Sequence, residues 1–391
     1  MDIFFTLLVA VVFVTIVTIL VAAHELGHYL FARLFRMDVE EFAVGFGSQK
    51  WVWMRRGDTI FTVRPWPLGG FVRIKGMMPH EDGSEVHIPN GFYSKPPWQR
   101  WVVLFAGPLF SVLAGLAILV PLYSTNGVYR NSNQPIIGAV VMDGPAHKAG
   151  LQEGDRILQA DGESIETYYE LIAIVRDWGE RPLPLLVERD GRTFETTLTP
   201  VRTQQPEAVI GPDLRPGVET RYQYRMLAGL PREHVRLSFV EASGEAFMMP
   251  VRMVMGIVAI FRNATRFQQE VGGPVTIVRA TAAVTREGAV PILELAGALS
   301  ISLGIFNLLP FPPLDGGQMV IATAEMVRRG RRLSIQVQKW VSGLGLGLVL
   351  LLFLSVFAID IRRLVAPPRP VQTVPSPTQD AAPEVEPPPA P

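Results

Sequence analysis

The chain has 391 residues, no cysteine, 48% hydrophobic residues, and 36 Lys plus Arg balanced by 36 Asp plus Glu. The missing cysteines exclude disulfides and thiolate metal sites, and the charge balance leaves no electrostatic footprint for nucleic acid. A positive mean hydropathy beside 18% charged residues describes a membrane protein with a sizeable water-exposed part.

The first element, Ile3–Ala23, carries no charge and is long enough to span ~30 Å of hydrocarbon. Asp2 is its only early charge, there is no basic leader, and the run exceeds a usual signal-peptide core, so it reads as a retained span. "HELGH" follows at once and places His24, Glu25 and His28 on the same helix. Ionisable groups at membrane depth are costly and ask for a chemical reason. Residues four apart in a helix lie one turn apart on nearly one face, so the two imidazoles can share one tetrahedral Zn²⁺. Glu25 lies beside them to take a proton from bound water. The plainer reading is an interior histidine pair satisfied by hydrogen bonds.

Residues 42–75 read as strands. "DTIFTVRPWPLGGFVRIKG" alternates apolar with polar residues and is broken by Pro65 and Pro67, which suggests a hairpin with an unpartnered outer strand near 58–75. Such an edge can take up an extended peptide. Tryptophans beside basic residues in "VGFGSQKWVWMRR" fit a membrane interface. A second span covers Val102–Tyr123. Next comes a compact soluble region, 135–200: the strand "PIIGAVV", then "GPAHKAGLQEGDRILQADGESI", a helix near Tyr168–Arg176, and a hairpin turning at Asp190-Gly191. This order resembles PDZ domains of bacterial proteases, with a groove expected between the first strand and the helix. Around 231–270, Pro250 and Arg252 interrupt an apolar pattern that reads as an interfacial amphipathic helix. Ala289–Leu309, with one acid at Glu294, and Val341–Ile359 are the remaining spans. From Ala366 the chain is proline-rich and reads as a disordered tail.

Basic residues cluster between spans one and two and again at Arg328, Arg329, Arg331, Arg332 and Lys339. Both loops are therefore expected in the cytoplasm, with residues 124–288 and both termini outside, against a minor contrary signal from Arg362 and Arg363.

A catalytic zinc needs a third protein ligand and one open position. Asp38, Glu40 and Glu41 lie beyond the apolar part of the first helix, while His80 and His87 would need a long return from a polar loop. Asp315 in "GIFNLLPFPPLDGGQM" is the better candidate. It follows an apolar segment, and Pro310, Pro312 and Pro313 break the helix before it, which can aim the carboxylate back into the bundle. Its other reading is an N-cap of the next helix.

HELGH in the first span together with "NLLPFPPLDGG" resembles the site-2 protease family of intramembrane zinc metalloproteases, most of all the bacterial regulator-of-sigma-E type. "VGFG", "PLGGFVRIKGM" and "GGPVTIV" are similar to further segments of that family. The resemblance implies zinc ligands His24, His28 and Asp315, the catalytic Glu25, and Asn307 as a substrate-binding residue. It implies a membrane α-helical fold: about four transmembrane helices, a cytoplasmic-side membrane-associated β-hairpin and an extracytoplasmic PDZ-like α/β domain. The expected segments are 1–36, 37–97, 98–124, 133–201 (PDZ), 202–288 (linker and interfacial helix), 289–328, 338–362 and the tail 366–391. The implied activity is cleavage of single-span membrane proteins, such as anti-sigma factors, already trimmed by another protease. A peptide C-terminus at the PDZ domain and membrane lipid are the other implied partners. The sequence departs from the pattern in having one PDZ domain where the closest members have two, and in Pro313, which stiffens the turn before Asp315. The rival readings are a membrane zinc transporter and a catalytically silent PDZ scaffold.

Overall fold

A computed structural model describes residues 3–78, 84–210, 216–262 and 271–365. His80 and the tail 366–391 lie outside the described residues. The chain divides into two compact units, one formed by Met1–Gly127 with Arg236–Ala366, the other by Val128–Val235.

The first unit is built on helices. α1 (Ile3–Leu34) is rich in Val, Ile and Thr, which are indifferent helix formers in water. In hydrocarbon the balance changes, because every backbone N–H and C=O must be satisfied within the segment. Its large side chains stay exposed, as at Ile3 and Phe4, and so face solvent that must be apolar. α2 (Pro97–Asn126) starts with proline at a position where no N–H is needed and keeps Pro108 and Pro121 inside.

Between α1 and α2 lies a four-stranded sheet in the order β2-β3-β1-β4: β1 Val39–Phe46, β2 Trp51–Arg56, β3 Thr59–Val63 and β4 Trp66–Ile74. The sequence predicts a simple hairpin here. Instead β1 inserts between its parallel neighbour β3 and its antiparallel neighbour β4. The insertion is driven by burial: Phe42 and Phe61 pack edge-on against Tyr29 of α1 at 6.0 and 5.4 Å between ring centres. Of the range 58–75 anticipated as an unpartnered outer strand, β4 lies on the sheet's edge, whereas β3 is flanked by β2 and β1.

After the second unit come α5 (Phe239–Arg262), α6 (Pro274–Glu287), α7 (Ala289–Asn307), α8 (Asp315–Val327) and α9 (Ile335–Val365). α2 is the hub, packing against α1, α5, α7 and α8. α7 runs antiparallel to it: Tyr123 donates to Glu294 at one end, and Ser300 Oγ donates to the Ser111 carbonyl at 2.7 Å further along. Among the described residues five helices are long and apolar enough to cross a membrane: α1, α2, α5, α7 and α9. α5 is the helix that the sequence places at the interface, and it meets the same measure of length and apolarity as the four expected spans. Arg252, which counted against it in the sequence, is paired with Glu245 on the same helix, and Pro250 does not end the helix.

The second unit holds the remaining strands and α3–α4. It has a four-stranded antiparallel sheet in the order β7-β6-β8-β9: β6 Arg156–Ala160, β7 Glu163–Ser164, β8 Leu183–Arg189 and β9 Arg192–Leu198. α3 (Pro145–Lys148) and α4 (Tyr168–Trp178) lie in the expected order, and a Thr167–Glu170 capping box opens α4. The β8–β9 turn takes positive φ at both Asp190 and Gly191, as a tight hairpin of that sequence requires. Two further strand pairs complete the unit: β5 (Val128–Asn131) with β12 (Arg232–Val235), and β10 (Val201–Ile210) with β11 (Pro216–Arg225). One feature differs from the sequence reading. Residues 226–230, beyond the expected limit at 201, close the domain: Gly229 N–H donates to Ala139 O at 2.8 Å and Val141 N–H to Leu227 O at 3.1 Å. The groove therefore lies between α4 and Tyr224–Ala228, a cavity of about 120 Å³, rather than beside "PIIGAVV".

Candidate metal centre

His24 and His28 lie on one face of α1 and are buried, with their Nε2 atoms 3.2 Å apart. Asp315, the first residue of α8, brings Oδ2 to 3.1 Å from His24 Nε2 and 3.4 Å from His28 Nε2. Among the described residues these three form the one His, Cys, Asp or Glu group whose donor atoms converge closely enough to hold a metal ion. Glu41 is committed elsewhere, to Arg64 at 2.7 Å and Thr62 at 2.7 Å within the sheet. Asp38, Glu40 and His87 are outside the cluster.

The local sequence explains how a carboxylate far along the chain reaches the histidines. α7 ends at Asn307, and the proline-rich turn folds back over Gly316 and Gly317. A Cβ on those glycines would lie 2.3 Å from Leu308 O and 2.0 Å from Pro312 N, so no other residue fits without displacing the turn. Leu314, not Asp315, occupies the N-cap position, and Asp315 makes no capping bond. Its carboxylate is thus left for the histidines, with the helix N-terminus favouring its charge.

Three observations fit a divalent cation bound here. Asp315 Oδ2 is buried with no hydrogen bond of proper geometry. His28 Nδ1 lies 2.9 Å from the Val103 carbonyl, which can only accept, so Nδ1 carries the proton and Nε2 offers a lone pair toward the other two atoms. Gly107 on α2 leaves the space open: a Cβ there would lie 2.2 Å from His28 Nε2 and 2.9 Å from His24 Nε2. Two imidazole nitrogens and a carboxylate oxygen are a ligand set suited to Zn²⁺.

A cavity of about 230 Å³ opens on this group. Glu25 lines it, with Phe71, Val72 and Ile74 of β4 and with Asn307 at the end of α7. The Val72 backbone N–H donates to the Glu25 carboxylate, and Asn307 Nδ2 donates to Leu303 O at 3.1 Å. All five residues singled out from the sequence therefore border one cavity. Sequence reasoning missed the partners on α2: the Val103 carbonyl, Gly107, and Ser111, whose Oγ lies 2.9 Å from His24 Nδ1. A backbone carbonyl leaves no sequence signal. Ser111 does, as a hydroxyl inside an apolar span.

The family model for "Peptidase family M50" matches residues 12–352. The chain belongs to peptidase family M50. Curated relatives agree over nearly their whole length. A Fusobacterium nucleatum protein whose name carries the words zinc metalloprotease is 32% identical over 358 residues, covering 91% of this chain and 97% of that protein. The zinc metalloprotease RasP of Bacillus licheniformis is 28% identical, covering 90% of this chain and 99% of its own. The regulator of sigma-W protease RasP of Bacillus subtilis is 27% identical, covering 90% and 98%. As an M50 peptidase, this chain is a zinc-dependent protease with several apolar helices compatible with membrane spans.

Proposed function

We propose that this M50 peptidase hydrolyses peptide bonds within or beside the transmembrane segment of single-span proteins, and that His24, His28 and Asp315 hold its zinc. The convergence of those three side chains from α1 and α8 carries the reading. Bound zinc would supply Lewis-acid polarisation of a carbonyl and a water acidic enough to deprotonate near neutrality. Glu25, on the same cavity wall, takes the water proton and returns it to the leaving nitrogen. Asn307 lines the same space and serves to hold substrate.

A helical substrate has its carbonyls bonded internally, so it must unwind before it can be cut. The edge of β4, which no described strand covers and which borders the same cavity as Glu25, can pair with the opened chain. Val72 N–H already reaches across to Glu25, so the edge and the base are held in one register.

The helix order supports four spans, with both termini outside. α2 leaves the site and α7 returns to it antiparallel, so an even number of crossings separates them. α6, with 14 residues, rises only about 21 Å and is too short to cross. A crossing by α5 alone would deliver α7 to the wrong face, which favours α5 as an outer-surface helix. The basic loops flank the site end, which orients that end to the cytoplasm and Val128–Val235 to the outside. On that side of the bilayer the PDZ-like unit would meet the external part of a substrate. It acts as a filter against substrates with bulky external domains, with the α4 groove available to a peptide C-terminus. Anti-sigma factors already cut outside are the substrate class this arrangement suits.

A zinc transporter would need polar groups leading across the bilayer. Glu294 is instead engaged by Tyr123 at 3.4 Å near the other end of α2, apart from the His–Asp group. The deciding experiment incubates purified wild-type and Glu25→Gln protein with single-span substrates, with and without chelator. Zinc-dependent cleavage by wild type alone supports the protease reading. Cleavage that persists in the variant overturns it, and zinc transport by both proteins would favour the rival.

A further inference from the structure

We propose that Ser111 is a positioning residue for the metal centre, fixing which ring nitrogen of His24 carries the proton. The inference rests on the reading of His24, His28 and Asp315 as the ligand set.

The two histidines have unlike partners. His28 Nδ1 faces the Val103 carbonyl at 2.9 Å, an acceptor only, so the neutral ring carries its proton there and Nε2 presents a lone pair. His24 Nδ1 faces the Ser111 hydroxyl at 2.9 Å, and a hydroxyl can donate or accept. The proton on His24 is therefore the adjustable one. When Ser111 accepts from Nδ1–H, the His24 Nε2 lone pair is free to bind metal. With a proton on Nε2 instead, that nitrogen cannot be a ligand.

Without the hydroxyl, the balance falls on the wrong side. Ser111 is fully buried, so no bulk water stands ready to replace it. His24 Nδ1 would then lack a partner, whereas a proton on Nε2 would find an acceptor in His28 Nε2 at 3.2 Å, with the Asp315 carboxylate charge beside it. The neutral ring would make its one N–H bond there, in the tautomer that does not ligate. The Ser111 carbonyl separately accepts from the buried Ser300 Oγ of α7 at 2.7 Å, a bond that does not involve the hydroxyl on His24. The hydroxyl contact links α1 to α2 at the ligand's outer nitrogen, where partners of metal-bound histidines tune affinity by about 10- to 100-fold.

The test uses the purified full chain and measures zinc affinity by competition with a chromogenic chelator, and the visible spectrum of the Co²⁺-substituted protein. Ser111→Ala should bind zinc about 10- to 100-fold more weakly and show an altered Co²⁺ spectrum. Ser300→Ala removes the bond that ties α7 to α2 but leaves the hydroxyl on His24. It should lower thermal stability and keep wild-type zinc affinity. Wild-type affinity and an unchanged spectrum in Ser111→Ala overturn the proposal. An equal loss of affinity in Ser300→Ala also overturns it, by assigning the effect to helix packing. A wild-type chain that takes up no zinc is a different result, and sinks the metal-centre reading itself.

Discussion

Gly107 meets His28 with no room for a side chain between them: a β-carbon at 107 would lie 2.2 Å from His28 Nε2. The obstacle is a buried ring fixed at its other nitrogen by Val103, so it cannot swing away cheaply. Gly107→Ala should therefore displace His28 and lose zinc, read as metal content per chain after gel filtration. Gly343→Ala, on α9 with nothing near its would-be Cβ, should keep its zinc and serves as the matched control.

Glu25→Gln keeps the size of the side chain and can still accept the Val72 N–H, but it cannot take a proton from water. Zinc content should match wild type while cleavage falls by about 10²- to 10⁴-fold, the usual contribution of a positioned base. Asp315→Asn should behave differently, with metal and activity falling together, because Asp315 Oδ2 is one of the three converging atoms. Chelator treatment of wild type should abolish cleavage, and added Zn²⁺ should restore it.

Much of this centre is legible in the sequence because its ionisable residues stand out against apolar helices. His24, Glu25 and His28 follow an uncharged run, and Asp315 follows a proline-broken turn at the end of an apolar segment. The surroundings are harder to read. The β1–β3 parallel pairing joins strands that are not sequential neighbours, and alternation within each strand says nothing of which strand lies beside it. The helix α5 is legible as an element, but its apolar character is understated in the sequence because Arg252 looks like an unpaired charge until Glu245, seven residues earlier, is seen beside it. The closing segment 226–230 of the second unit follows the long β10–β11 hairpin, so proximity in sequence gave no hint of its place.

The edge of β4 offers a test of how substrate is held. Val72→Pro removes the N–H that reaches Glu25 and puts a ring on the strand's outer side. Cleavage of a membrane substrate should fall sharply while zinc stays bound, since none of the three converging side chains is touched. Turnover equal to wild type would remove β4 from the mechanism.

α8 connects the metal centre to a second buried polar group, and this gives the last prediction. Asp315 opens the helix, and Glu325 near its end pairs with Arg100 of α2 at 2.5 Å, with neither side chain more than 4% exposed. Arg100 and Arg332 both lie over the Tyr93 ring, at 5.0 and 4.2 Å, and Arg332 pairs with Glu85 at 2.7 Å. Removing one partner of a buried pair strands the other charge and costs about 3–5 kcal/mol, whereas replacing both by apolar residues of similar volume is often neutral. Arg100→Met should accordingly lower the melting temperature in detergent, and the Arg100→Met, Glu325→Leu double variant should recover most of the loss. Because the same helix presents Asp315, the single variant should also release zinc to a competing chelator faster than wild type. A single variant as stable as wild type would mean that water reaches Glu325 and that α8 is anchored elsewhere.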